Sequence, residues 1–228
     1  QFGMYFGSQH PTELTELVFS YPSKWSVEYR VTQGPNLLDW QPQQTVGPKQ
    51  ETQLLWTKAD LAKYQEEDYS SGFRELHPRV RLYLKSWNID GKTTNNLANI
   101  KAYSQWVYEL QSGTEASTPE MVSLAKSIVK GANSPREKAH RLYDWVQSEI
   151  RYIGVQVGIG GWKPFSAAKV LSTRYGDCKA KANILRALLA IEGIPSSMAS
   201  LFSHKGRARE FWLPTLGNTN HAISMIHL

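Results

Sequence analysis

The first half of the chain alternates apolar and polar residues in several short runs. A period of two is typical of a strand that buries one face, and these runs are followed by turn residues such as Gly34-Pro35. The polar stretch 41–53 has no clear period, which predicts loops or an exposed sheet edge. These patterns predict a β-sandwich-like architecture. The alternating positions are Leu17, Phe19 and Tyr21; Trp25, Val27, Tyr29 and Val31; and Val80, Leu82 and Leu84.

The second half repeats its apolar residues at helical spacing. Thr118 and Ser134 each precede a proline at the first helical position, and Ser134-Pro135-Arg136-Glu137 has the pattern of a capping box. Between the halves, a helical segment ends before Gly113 and a Thr/Ser-rich passage that is typical of a linker. We therefore predict two domains, 1–112 and 113–228, of which the first is β-rich.

Composition places the chain among globular proteins. Its 228 residues are 41% hydrophobic and 20% charged, which excludes a disordered chain. It contains no run of about 18 apolar residues, so no membrane-spanning segment is predicted. The single Cys excludes an internal disulfide and does not favour a structural zinc site, so stability is expected to come from packing. The chain begins at Gln1, which leaves open a removed leader or a fragment.

Positive charge is concentrated in the second half. Residues 1–110 hold 11 Lys/Arg against 12 Asp/Glu, whereas residues 111–228 hold 15 against 8. Basic and aromatic residues do not interleave there as stacking platforms require, so nucleic acid is not the favoured partner. The glycines at 158–161 lack the spacing of a phosphate loop. The basic segment 204–209 is predicted to be a solvated loop, with an acidic partner as the alternative.

Cys178 stands at a predicted helix start. In Gly176-Asp177-Cys178, the aspartate is a natural N-cap and the cysteine the first helical residue. The free N–H groups and partial positive charge of a helix start stabilise a thiolate, and the same amides can bind an oxyanion. Lys179 and Lys181 add positive charge nearby. This arrangement suits acyl transfer.

His221 is the best candidate base among the six histidines. It opens a predicted apolar strand, 221–226, that would hold its imidazole rigidly. A lone Cys or a lone His is more often a structural residue than a catalytic one, but the two together strengthen the catalytic interpretation. Trp162 and Gln156 are candidates to line a substrate groove or donate to an oxyanion, although structural roles are more common for both. No metal or organic cofactor is expected.

Four segments resemble the bacterial transglutaminase-like superfamily, and the resemblance covers roughly residues 118–228. It implies an α+β, papain-like core with helices packed on an antiparallel sheet, Cys178 as nucleophile and His221 as general base. It also implies a periplasmic or extracytoplasmic location. The preceding strands, with Ser86-Trp87 and Trp106, resemble the β-rich domain of unknown function that often precedes this core. The four segments are Tyr143-Asp144-Trp145-Val146, Ile150-Arg151-Tyr152, Gly176-Asp177-Cys178-Lys179 and Asn220-His221-Ala222.

The same resemblance implies an aspartate as the third member of a triad, one strand after the histidine. The chain reaches only Leu228, so we expect a core whose carboxy-terminal part is missing or a triad that is incomplete. Asp177 is not expected to substitute, because it caps the helix. Ala180 stands where many relatives carry Asp, which weakens the expectation of ordinary activity.

The function predicted from the sequence is cysteine-dependent acyl transfer or hydrolysis on protein or peptide amides. The sequence itself leaves hydrolysis and transamidation open, and the resemblance favours hydrolysis. The alternative is a non-catalytic transglutaminase-like interaction module that binds a protein partner and never turns over.

Overall fold

A computed structural model describes residues 2–203 and 219–228 of the chain. The predicted basic loop 204–209 therefore lies outside the described residues. These residues divide into two compact units at Tyr103 and Ser104, inside one helix. The domain limits expected from the sequence, 1–112 and 113–228, remain a prediction.

The first unit is built from strands. They are β1 (Phe2–Tyr5), β2 (Thr12–Pro22), β3 (Ser26–Gln33), β4 (Asn36–Leu38), β5 (Gln43–Val46), β6 (Glu51–Leu61), β7 (Pro78–Ile89) and β8 (Lys92–Thr94), with a one-turn helix α1 (Phe73–Leu76) before β7. One sheet has the order β1-β7-β3-β4, with β8 pairing with β7, and the other has the order β2-β6-β5.

The two sheets pack face to face around an apolar core. Leu17 from β2 and Trp56 from β6 meet Val31 and Val80 from the other sheet, and Phe6 joins them from the segment after β1. The alternation read from the sequence therefore predicted the sandwich correctly.

One long strand of this unit was not predicted. β6 (Glu51–Leu61) begins inside the stretch that was expected to be loop or edge, and Thr52, Leu54 and Trp56 alternate towards the core. β5 (Gln43–Val46) is an exposed edge strand, in agreement with the other part of that expectation.

The second unit is mainly helical. Helix α2 (Ile100–Gln111) spans the division between the units, and the remaining elements are α3 (Pro119–Ile128), α4 (Pro135–Glu149), β9 (Arg151–Tyr152), a 3-10 helix (Gly158–Gly161), α5 (Ala167–Thr173), β10 (Tyr175–Gly176), α6 (Cys178–Ile191), β11 (Ser196–Leu201) and β12 (His221–Ile226).

Helix α6 is the centre of this unit. It packs against α3, α4, α5 and the antiparallel β11–β12 pair. Ile184, Leu188 and Leu189 are fully buried in the core that these elements share. Helices packed on an antiparallel sheet agree with the expected α+β, papain-like class. In the described part of the chain, no helix is both long and apolar enough to cross a bilayer.

The predicted helix starts have the expected caps. The Thr118 hydroxyl accepts from the Met121 N–H, and the Ser134 hydroxyl accepts from the Glu137 N–H. The Glu137 carboxylate reaches back to the N–H of Asn133, one residue before the cap, at 2.8 Å. This backbone hydrogen bond and the Arg141 guanidinium lower the pKa of Glu137.

Candidate active site

Cys178 is the first residue of α6, as the sequence predicted. Asp177 is the N-cap, and its Oδ1 accepts from the Ala180 N–H at 3.0 Å. Cys178 is 8% exposed, so it lies at a helix start but mostly out of solvent. The unused amides of the first turn and the helix dipole both favour negative charge at this position.

Gly176 allows α6 to start close to the preceding strand. A β-carbon placed on Gly176 would lie 2.6 Å from the β-carbon of Ala180, which is itself fully buried. Real β-carbons do not approach so closely, so the glycine fixes how the chain enters the helix. The position of Cys178 follows from that entry.

Lys179, which the sequence suggested as a nearby positive charge, is paired with the helix cap. Its Nζ forms an ion pair with the second carboxylate oxygen of Asp177, and both side chains are at least 90% buried. One carboxylate therefore caps the helix and neutralises a buried lysine. Both of its oxygens are engaged, in agreement with the expectation that Asp177 does not serve His221.

Cys178 and His221 line the same pocket. It has a volume of about 430 Å³ and lies between α4, α6 and β12. Most of its lining surface is apolar, and its polar groups include Lys181 and Tyr152. The described lining residues are Tyr143, Val146, Gln147, Tyr152, Cys178, Lys181, Ala182, Leu185, His221, Ala222, Ile223, Ser224 and Ile226.

Lys181 is the cation that faces this pocket from α6. Its Nζ donates to the carbonyl oxygen of Ile150 at 2.6 Å. Desolvation by the surrounding protein lowers the pKa of its ammonium group. The Ile150 carbonyl holds the ammonium group at the end of α4. Lys181 itself lies three residues after Cys178, about one turn along α6.

His221 is held at the start of β12, as predicted. It pairs with Leu201 in the β11–β12 register, and the neighbouring Asn220 donates its N–H to the Leu201 carbonyl at 3.0 Å. Further along the strand, the Ser224 hydroxyl donates to the Ala182 carbonyl at 2.9 Å. This bond ties the histidine strand to the cysteine helix, three residues after His221 and four residues after Cys178.

Tyr152 is a site residue that the sequence analysis did not identify as functional. β9 and β10 pair in parallel, with Tyr152 opposite Gly176. Tyr152 and Cys178 line the same pocket. Desolvation first, and then the charges of Cys178 and Asp177, raise the pKa of this phenol, while the bond from the Cys178 N–H opposes the shift.

Trp162 and Gln156 lie elsewhere. Trp162 is half-buried, with its ring centroid 6.0 Å from that of Trp106, and Gln156 is exposed. Neither belongs to the described lining of the pocket. Their assignment to substrate binding remains a prediction.

Metal-ligating side chains do not gather anywhere in residues 2–203 and 219–228: no three His, Cys, Asp or Glu residues are grouped so as to hold an ion.

Residues 122–226 match the family model of the transglutaminase-like superfamily. This match contains Cys178, His221 and every element that forms their pocket. The second unit carries a transglutaminase-like core. No curated protein matches the chain in sequence.

Two solved structures resemble the whole chain. A putative protease from Parabacteroides distasonis has a TM-score of 0.63 at 15% identity, and the match covers 98% of this chain but 40% of that one. A putative cysteine protease from Cytophaga hutchinsonii has a TM-score of 0.40 at 12% identity, covering 98% of this chain and 70% of that one. The first comparison supports the fold of the transglutaminase-like core and of the β-rich unit before it. This chain corresponds to less than half of the Parabacteroides protein.

Proposed function

We propose that the transglutaminase-like core performs cysteine-dependent acyl chemistry on protein or peptide amides. The observation that carries this proposal is the shared pocket of Cys178 and His221, with the thiol at a capped helix start. A nucleophile, a titratable base and backbone donors at one cavity are the minimum set for this reaction.

The first step is attack on the amide. The Cys178 sulfur bonds to the carbonyl carbon while His221 takes the thiol proton, and the carbonyl π electrons move to oxygen. The Cys178 backbone N–H stabilises the resulting oxyanion. Collapse of the intermediate re-forms the carbonyl and expels the amine, which receives the proton from His221.

The second step decides the product. Attack of water on the thioester releases a carboxylic acid, and attack of a second amine releases a new amide. The Parabacteroides neighbour is a putative protease, which agrees with the first outcome. We therefore propose hydrolysis as the main reaction, in an extracytoplasmic setting as the resemblance implies.

One observation favours a second candidate, a non-catalytic module that binds a protein partner. No Asp or Glu belongs to the described lining of the pocket, and the capping carboxylate is already engaged. A histidine that lacks a carboxylate partner is oriented less firmly as a base. In this alternative the pocket would bind a peptide segment without reacting with it.

Acylation of the thiol separates the two candidates. The chain would be mixed with p-nitrophenyl acetate, and release of nitrophenolate and the intact mass would be followed together. Activity predicts an acetyl adduct that is absent in Cys178→Ser and forms about 100-fold more slowly in His221→Ala. His140→Ala is the matched control, because His140 is exposed on α4 and pairs with Asp144 away from the pocket.

Three results are informative. Equal acylation of the parent and His221→Ala would contradict the role of the base. Absence of any Cys178 adduct would favour the binding module. If the adduct forms, a glutamine-containing peptide offered with and without a fluorescent primary amine distinguishes hydrolysis from transamidation.

A further inference from the structure

Tyr152 lies beside the reacting groups because of a short parallel strand pair. The Arg151 N–H donates to the Arg174 carbonyl at 2.8 Å, and the Ile153 N–H donates to the Gly176 carbonyl at 3.0 Å. These two bonds bracket Tyr152 and hold it opposite Gly176, two residues before Cys178. Its ring lines the pocket that contains Cys178 and His221.

Two groups of Cys178 act on the Tyr152 hydroxyl. The backbone N–H of Cys178 lowers the pKa of the phenol and the Cys178 side chain raises it, and both residues line the same pocket. The backbone N–H of a nucleophile is a usual donor to the oxyanion in acyl transfer, and a second donor normally completes the site. The phenol therefore lies next to both the attacking atom and the first oxyanion donor.

We propose that Tyr152 is a catalytic residue of this site, donating its phenolic hydrogen bond to the Cys178 sulfur at rest and to the oxyanion during acylation. The proposal rests on the proposed function, since it assigns a further residue to the same reaction. It replaces neither Cys178 nor His221.

The step balances without any proton leaving Tyr152. The carbon–sulfur bond forms, the carbonyl π bond opens, and the new oxygen charge receives one hydrogen bond from the Cys178 N–H and one from the Tyr152 O–H. When the π bond re-forms, the amine leaves with the proton held by His221. The phenol then returns to the sulfur of the free enzyme.

The surroundings keep this phenol in its donor form. Its pKa is raised by desolvation and by the negative charges of Cys178 and Asp177, so the hydroxyl stays protonated at neutral pH. Besides Cys178, the other titratable groups in the described lining of the pocket are Tyr143 from α4, Lys181 from α6 and His221 from β12. A protonated phenol can donate, whereas a phenolate could not.

Two reagents separate an oxyanion donor from a merely structural tyrosine. Alkylation by iodoacetamide forms a carbon–sulfur bond and expels iodide, so it creates no oxyanion. Acylation by p-nitrophenyl acetate forms the same kind of bond through an oxyanion. The ratio of the two rates therefore isolates oxyanion stabilisation from thiol reactivity.

The test variant is Tyr152→Phe, and the matched control is Tyr175→Phe on the partner strand β10. Both remove one hydroxyl from the same strand pair, but Tyr175 lies outside the described pocket lining. At a pH where alkylation has reached its limit, Tyr152→Phe is expected to acylate about 10- to 100-fold more slowly with alkylation unchanged. The control should match the parent in both assays.

Other outcomes overturn the proposal. An unchanged ratio of the two rates would remove Tyr152 from the oxyanion site, and equal losses in both rates, with altered circular dichroism, would make its role structural. Faster acylation would mean that the phenol blocks the site. If Tyr152→Phe gives any one of these results while His221→Ala still slows acylation, only this inference fails. If the parent Cys178 is never acylated, the proposed function fails as well.

Discussion

Gly176 and Ala180 approach each other so closely that a β-carbon on Gly176 would lie 2.6 Å from that of Ala180. Both residues are buried, and the φ of Gly176 is not in the left-handed region, so the constraint is purely steric. We expect Gly176→Ala to lower the free energy of unfolding by about 1–3 kcal/mol, as overpacking does. Urea unfolding of the purified chain measures this.

The control and the rescue for this prediction come from the same unit. Gly160→Ala should change the unfolding free energy by less than about 0.5 kcal/mol, because nothing lies within 4 Å of the added carbon. In Gly176→Ala combined with Ala180→Gly, the clash is relieved, so the double variant should be more stable than the sum of the two single changes implies. Strict additivity would show that the two positions do not meet.

Asp177 carries a helix cap and a buried ion pair at once. Asp177→Ala removes both and leaves the Lys179 ammonium without its carboxylate, so we expect a loss of about 3 kcal/mol or more in unfolding free energy. Asp177→Asn keeps the capping oxygen and removes only the charge, so its unfolding free energy should fall by less than that of Asp177→Ala. Chemical denaturation of both variants measures the difference.

Removing the lysine tests whether the buried charge is responsible. Adding Lys179→Met to Asp177→Ala should recover most of the loss, because no unpaired cation remains and the methionine stem fills similar space. If the double variant is as unstable as Asp177→Ala alone, the cap rather than the ion pair accounts for the effect.

Lys181 should make stability depend on alkaline pH. Desolvation lowers its pKa from 10.5, so between the folded-state pKa and 10.5 the unfolded chain binds more protons than the folded chain. Stability contributed by this residue therefore rises with pH across that window. The unfolding free energy of the parent minus that of Lys181→Met should increase as pH is raised towards 10.5, and a constant difference would contradict the shift. Lys126→Met, from the exposed part of α3, controls for the loss of one positive charge.

Asn183 joins α6 to two loops from a fully buried position. Its Nδ2 donates to the carbonyls of Thr114 at 2.9 Å and Phe165 at 3.1 Å. Asn183→Asp removes both donors and buries a carboxylate against two carbonyls, so we expect a loss of about 3 kcal/mol or more in unfolding free energy. Asn183→Leu should lose less, since it adds no charge and the Thr114 carbonyl keeps the Ala167 N–H as a donor. Thermal unfolding of the two variants ranks their stabilities. The prediction is wrong if Asn183→Asp is more stable than Asn183→Leu.

Local interactions explain which features the sequence predicted. A cap joins residues three positions apart, so Asp177 and the start of α6 at Cys178 could be predicted from five consecutive residues. The β11–β12 register and the parallel pairing of Tyr152 with Gly176 join residues at least 20 positions apart, and a two-residue strand has no periodicity to detect. The sequence suggested positive charge from Lys179 near the thiol, but it did not predict the ion pair of this lysine with Asp177.

Cys178 is the single cysteine of the chain and is 8% exposed at the rim of a pocket of about 430 Å³. Any thiol-directed label therefore attaches at one known place, without engineering of the sequence. Because so little of Cys178 is exposed, a bulky dye maleimide is expected to be slowed more than a small electrophile, each relative to its rate with a free thiol. A peptide that occupies the pocket should lower both labelling rates together.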